Sequence, residues 1–204
     1  MVDYFVKGGV FMWPLLFFLV LGLMFSLERL WTLSRATINS RRFTQQIREA
    51  LSDGGVEKAI EVCSNTRGPI ANVVRSGLQH IGRGIADVEK AIMTSGTIEM
   101  AFLEKNLVWL ATVVSIAPML GFLGTVSGMV NAFETIAQAN DISPSLVAGG
   151  ISEALLTTMF GLVIAIIIQF FHNLFVTRID KIVADMEEST LEVTDMLIDM
   201  NQAG

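Results

Sequence analysis

The chain has 204 residues, 52% of them hydrophobic, and a mean hydropathy of +0.57. A soluble domain of this size rarely reaches that value, so a membrane protein is the expectation, and the helical runs that follow make it all-α. The formal net charge of −6, with no basic stripe, argues against a nucleic-acid partner. A single cysteine, Cys63, excludes an intrachain disulfide framework.

Residues 1–9 form a short lead with Asp3, Lys7 and the pair Gly8-Gly9. An uncharged run then extends from Val10 to Leu27 and is closed by Glu28, Arg29 and Trp31, which marks residues 10–31 as a first transmembrane helix. Its apolar core of about 18 residues is just long enough to span, and Trp13 and Trp31 suit the two interfaces. A cleaved signal peptide is the rival reading. The long run, the single Lys before it and the lack of a small-x-small site favour an uncleaved anchor.

Residues 32–108 read as a cytoplasmic helical domain. Asp53-Gly54-Gly55 is a turn, and Arg67-Gly68-Pro69 is a second break with Pro69 placed to begin a helix. Ile70, Val73, Val74, Leu78 and Ile81 give an amphipathic period, and Gly82 and Gly84 stop it. From about Ala86 a helix is expected to run continuously into the membrane at Trp109. His80 reads as a surface or partly buried residue. Nothing here has metal-ligand spacing, a phosphate loop or a nucleophile elbow, so no catalytic or metal residue and no cofactor is assigned.

Residues 109–135 form a second transmembrane helix. Ala117, Gly121, Gly124 and Gly128 recur at spacings that stack them on one face, where small residues let another backbone approach closely. Residues 136–145 form a short external loop with turn chemistry at Asn140-Asp141 and Ser143-Pro144. Residues 146–177 form the third transmembrane helix. It carries a second small and polar face of Ala154, Thr158, Gly161, Ala165, Gln169 and His172. It also holds Glu153, a carboxylate inside an apolar run, which is expensive unless paired, protonated or wet. Either small face alone reads as a tightly packed bundle helix.

In the C-terminal helix, residues 178–204, Ile179, Ile182, Met186, Ser189, Val193, Met196 and Met200 alternate at three and four, a heptad-like seam set among acids from Asp180 to Asp199. The seam suits either packing on the chain's own domain or self-association around a symmetry axis. Eleven of the fourteen Lys and Arg lie between residues 28 and 108, two more are Arg178 and Lys181, and only Lys7 precedes the first span. The positive-inside rule then places the N-terminus outside and the C-terminus in the cytoplasm.

The stretch APMLGFLGTVSGM (Ala117 to Met129), followed in the next span by ISEALLTTMFGL (Ile151 to Leu162) with Asn173 beyond it, resembles the MotA/TolQ/ExbB family of ion-channel motor subunits, on its ExbB and TolQ side. The resemblance is strong over roughly residues 100–178 and extends to the rest by layout. It implies three transmembrane helices with long cytoplasmic helical extensions in a homopentamer. The pentamer would enclose two copies of a one-span ExbD/TolR-like protein in the bacterial inner membrane. There it would convert the proton motive force into work at the envelope, either TonB-dependent import or Tol-type maintenance, with a TonB- or TolA-like protein as a further partner.

The resemblance also assigns residues. Thr125 and Thr158 match the family's polar pore threonines and Glu153 its intramembrane Glu, with Thr157 beside them on the ion pathway. The alternative for Thr158 is a hydrogen bond to its own helix carbonyl. Glu153 lies about 100° around the helix from Ala154, so it can face a neighbouring subunit instead of the ion path. Gly121, Gly124, Gly128, Ala154, Gly161 and Ala165 take the helix-packing role, and small faces of this kind are expected to demand an oligomer. Protons are the expected ion. The tandem Thr157-Thr158 is similar to that of sodium-driven stators, which keeps Na+ as the alternative, with Thr157 and Glu153 sharing a site. Ala165-Ile166-Ile167 departs from the family's usual Ala-Ile-Pro and puts a third-span kink in doubt. Gln169 and His172 place polar groups near the cytoplasmic end, where interfacial hydrogen bonding is the expectation and a titratable His at a pore exit the alternative. A sodium-driven, gliding or flagellar stator is the second reading within the family, although flagellar forms usually have four spans. A passive membrane scaffold is the reading of another class, and an intramembrane enzyme is the weakest because no nucleophile–base pair is visible.

Overall fold

In a computed structural model the described residues are 2–139 and 144–203. They form α1 (Val2–Lys7), α2 (Met12–Ala36), α3 (Ser40–Asn65), α4 (Pro69–Leu78), a 3-10 turn (Ile81–Arg83), α5 (Ile85–Glu104), α6 (Leu107–Ala139) and α7 (Pro144–Ala203). The turn read at Asn140-Asp141 and Ser143 lies outside the described residues. Three stretches, containing α2, α6 and α7, are long and apolar enough to cross a membrane. The chain divides into two compact units, Met1–Arg29 with Asn106–Leu174, and Leu30–Lys105 with Phe175–Gly204.

The first unit packs α2, α6 and α7. Gly22 of α2 marks a close approach, since a Cβ there would lie 2.8 Å from Ile168 Cδ1 of α7 and 3.4 Å from Val113 Cγ1 of α6. Phe25 stacks on Trp109 with parallel rings, centroids 6.0 Å apart. Arg29 is 1% exposed. Such a charge must be paired, and its guanidinium meets Glu28 through Nε–Oε2 at 2.7 Å and a second nitrogen to Oε1 at 2.6 Å. Asn106 Nδ2 donates to the same carboxylate at 3.2 Å. Asn106 has φ +67, a left-handed conformation that Asn tolerates better than most residues. This corrects the expectation of one helix from Ala86 into the membrane. The helix stops at Glu104 and restarts at Leu107, because Asn106 turns the backbone out of the right-handed region while its amide is held by Glu28.

The second unit is a helical bundle with its own core. Asn39 caps α3 through Oδ1, which accepts from the Arg42 amide at 3.1 Å. The expected turn at Asp53-Gly54-Gly55 is a kink inside α3, where Gly55 takes φ +70. Pro69 opens α4, whose Ile70, Val73, Val74 and Leu78 are all buried, as the amphipathic period requires. Asn72 Nδ2 donates to Glu99 Oε1 at 2.8 Å and ties α4 to α5. The last part of α7 closes this core: Met186, Val193 and Leu197 join Phe43, Ile47, Val74 and Val88. The tail seam is therefore used against the chain's own bundle. Its register also drifts, with Leu197 fully buried and Met200 44% exposed, as expected when a straight helix of 3.6 residues per turn leaves a 3.5-residue pattern. Cys63 is 2% exposed, and burial pushes its thiol up to about 11, with the Arg75 charge opposing the shift.

Candidate functional site

The site is built where α6 and α7 run in backbone contact. The buried face of α6 continues through Leu110, Val113, Ala117, Gly121, Gly124, Gly128 and Ala132. A Cβ on Gly121 would lie 2.9 Å from the Thr157 carbonyl oxygen and 3.1 Å from Thr158 Cα. A Cβ on Gly161 would lie 2.6 Å from the Ala117 carbonyl oxygen, and one on Gly128 would lie 2.9 Å from that of Gly150 and 3.0 Å from the Ala154 amide. Ala154 and Ala165 are buried on the same length of α7. Close approach of this kind gains dispersion and permits hydrogen bonds between helices. The two small faces meet each other within one chain, which corrects the premise that they have no use without a second copy.

Close approach brings the two candidate pore threonines together. The Thr125 and Thr158 hydroxyls are hydrogen-bonded to each other across the helix pair. Thr125 Oγ1 also reaches the Ala154 carbonyl at 3.2 Å and that of Gly121 at 3.3 Å, and Thr158 Oγ1 reaches the Gly121 carbonyl at 3.1 Å. Two protons are thus shared among each other and two carbonyls. Rotating both hydroxyls reverses the direction of the chain, so the pair can pass hydrogen-bond polarity without ever holding a charge. Both residues are only partly buried within the single chain.

Thr157 has a different place. It is fully buried and fills the notch over Gly124, where a Cβ would lie 2.5 Å from its Oγ1 and 2.6 Å from its Cβ. Its hydroxyl donates within its own helix, to the carbonyls of Ala154 at 2.9 Å and Glu153 at 3.2 Å. The Glu153 carboxylate points elsewhere, onto Gly9 in the turn between α1 and α2: a Cβ there would lie 2.6 Å from Glu153 Cδ. The structure thus joins Thr125 with Thr158 and separates Thr157 from the Glu153 carboxylate, so the two do not form the shared site expected of them.

Further along α7, Gln169 Nε2 donates to Asn173 Oδ1 at 2.7 Å, whereas His172 Nδ1 is buried with no hydrogen-bond partner among the described residues. His80 Nδ1–H donates to the Ser76 carbonyl at 2.8 Å. Among the described residues, no group of three or more His, Cys, Asp and Glu could hold a metal ion. Sequence reading missed the roles of Gly9, Glu28 and Asn106. The Gly8-Gly9 pair was a visible signal of an unusual backbone, but nothing local connects it with Glu153.

Residues 65–188 match the MotA/TolQ/ExbB proton channel family. The ExbB homolog of Methanothermobacter thermautotrophicus is 27% identical over 187 residues, covering 91% of this chain and 66% of that relative. The biopolymer transport protein ExbB of Salmonella typhimurium is 40% identical over 85 residues, 42% of this chain and 35% of that relative. The Tol-Pal system protein TolQ of Haemophilus influenzae is 36% identical over 99 residues, 48% of this chain and 43% of that relative. The chain thus spans at most 66% of the length of these three relatives.

Proposed function

The chain belongs to the MotA/TolQ/ExbB proton channel family, in its ExbB/TolQ branch, and from that premise we propose that it is the ion-conducting subunit of an inner-membrane motor driven by the proton motive force. Five copies enclose two copies of a one-span ExbD/TolR-like protein. The N-terminus lies outside and the C-terminus in the cytoplasm, following the distribution of Lys and Arg. The work is done at the envelope, through a TonB- or TolA-like protein.

The observation that carries this reading is the Thr125–Thr158 pair. A proton needs a continuous hydrogen-bonded chain and a titratable carrier. The pair supplies one link of the first, and the one-span partner is assigned the second. Apolar side chains remain exposed on the spans for neighbouring copies and lipid, among them Phe122, Leu155, Ile166 and Phe170.

Sodium as the ion would draw on the tandem threonines, yet Thr157 is fully buried in the notch over Gly124, and this burial supports the proton. The test is to purify the complex with whatever one-span protein accompanies it. Native mass spectrometry should show the pentamer with its partner. Thr125→Val and Thr158→Val should keep that assembly and lose proton-motive-force-dependent activity. Full activity in both variants, or a monomer alone, sinks the reading.

A further inference from the structure

Glu153 is the one carboxylate within the apolar length of α7, and its seat comes from the other end of the chain. The turn between α1 and α2 is tightly bonded: the Gly8 amide donates to the Tyr4 carbonyl at 3.0 Å, Gly9 to Val6 at 3.4 Å, and Met12 to Gly9 at 3.3 Å. Phe5 and Trp13 clasp the two helices edge to face, ring centroids 5.4 Å apart. Met12 and Leu15 just beyond are 2% and 1% exposed, so α2 is anchored directly after the turn. The turn is fixed in place by these contacts rather than left as a loose lead.

Gly9 sits at its apex with φ +70. Two independent constraints therefore fall on one residue. A left-handed backbone favours glycine. The space where a side chain would stand is taken by the end of the Glu153 side chain, with Cδ 2.6 Å and Cγ 3.3 Å from the Cβ position and Oε1 overlapping it. The obstruction is the far end of a flexible side chain. An added methyl group would therefore push the carboxylate aside more readily than it would disturb the fold.

We propose that Gly9 is a positioning residue for Glu153: its missing side chain makes the recess in which the carboxylate rests, and the α1–α2 turn sets where that carboxylate points. The inference rests on the proposed ion-driven function of this family member for its consequence, and on the geometry alone for the seat. The pair is 144 positions apart in sequence (residues 9 and 153), so this end of α1–α2 acts as part of the Glu153 environment and not merely as a lead into the first span.

The test uses the full-length chain in its purified complex. Variants are Gly9→Ala, Glu153→Asp, the double variant, Glu153→Gln, and Gly55→Ala. Gly55→Ala likewise places alanine at φ +70, here in open space, where only Glu57 Oε2 lies near, at 3.9 Å. Labelling of Glu153 by a hydrophobic carbodiimide, read by mass spectrometry of its peptide, reports the carboxylate's placement independently of function. Gly9→Ala should change the labelling rate several-fold and lower energised activity by about tenfold or more, since small misplacements of an acting group are costly. The shorter side chain of Glu153→Asp should restore much of that activity in the double variant, and Gly55→Ala should change neither readout. Labelling of Gly9→Ala at the wild-type rate overturns the assignment, as does a Gly9→Ala defect that Glu153→Asp fails to relieve. Full activity of Glu153→Gln instead marks failure of the functional reading, with the labelling arm still deciding whether Gly9 seats the carboxylate.

Discussion

The hydroxyls of Thr125 and Thr158 are hydrogen-bonded to each other between α6 and α7, and each also reaches a carbonyl of the facing helix. Polar pairs between membrane helices contribute only about 0.6 kcal/mol on average and rarely exceed about 1.7 kcal/mol. A double-mutant cycle with Thr125→Val and Thr158→Val, read by thermal unfolding in detergent, should give coupling in that range. Coupling near zero would mean the two hydroxyls do not meet in the folded protein.

Gly124 tests the helix contact itself. A side chain there collides with Thr157, and overpacking of this kind costs about 1–3 kcal/mol. Gly124→Leu should lower the unfolding temperature and reduce recovery of folded protein. Ile166→Leu, at a position 68% exposed, should leave both unchanged. Equal stability of the two variants would contradict the close α6–α7 packing.

Thr157 separates the two ions. Its hydroxyl donates to backbone carbonyls of its own helix and its whole side chain fills the notch over Gly124, so the isosteric Thr157→Val should retain the shape and the energised activity. Wild type should also work fully in sodium-free medium with a proton gradient maintained. Activity lost without sodium and regained on adding it would reverse the choice of ion.

Asn106 can be dissected by two substitutions. Asn106→Ala and Asn106→Gly both remove the amide bond to Glu28, so their difference isolates the backbone at φ +67. The glycine variant should be the more stable by about 1 kcal/mol, because alanine carries the left-handed penalty. Denaturation midpoints measured side by side decide it, and an alanine variant of equal or greater stability would refute the strain argument.

Cys63 predicts a pH slope with a defined sign. Its thiol is pushed by burial from an ordinary 9.0 to about 11, so between those values the unfolded chain loses its proton while the folded chain keeps it. Stability from this group is complete below pH 9.0 and is lost as pH rises toward about 11, on the order of 1–2 kcal/mol. The difference in unfolding free energy between wild type and Cys63→Ala should therefore shift in the variant's favour across that interval. Maleimide should also label Cys63 far more slowly than an exposed thiol at pH 8. A flat difference across the interval would remove burial as the cause.

Much of this protein was legible from local pattern. Apolar runs of membrane length marked α2, α6 and α7, and the spacing of Ile70, Val73, Val74 and Leu78 marked the buried face of α4, because helix periodicity is written in neighbouring residues. The stretches around Thr125 and Thr158 carried the family resemblance as local motifs. What a face packs against is not written there. The small faces of α6 and α7 are satisfied by each other, on helices separated in sequence only by residues 140–143, and the tail seam is satisfied by the chain's own bundle. A stripe specifies that a close partner is needed, and the path of the chain decides which partner is nearest. The left-handed turn at Asn106 depends on Glu28, and the placement of Glu153 depends on Gly9. Both are contacts between residues far apart in sequence, with no period to announce them, and only the tertiary structure brings them together.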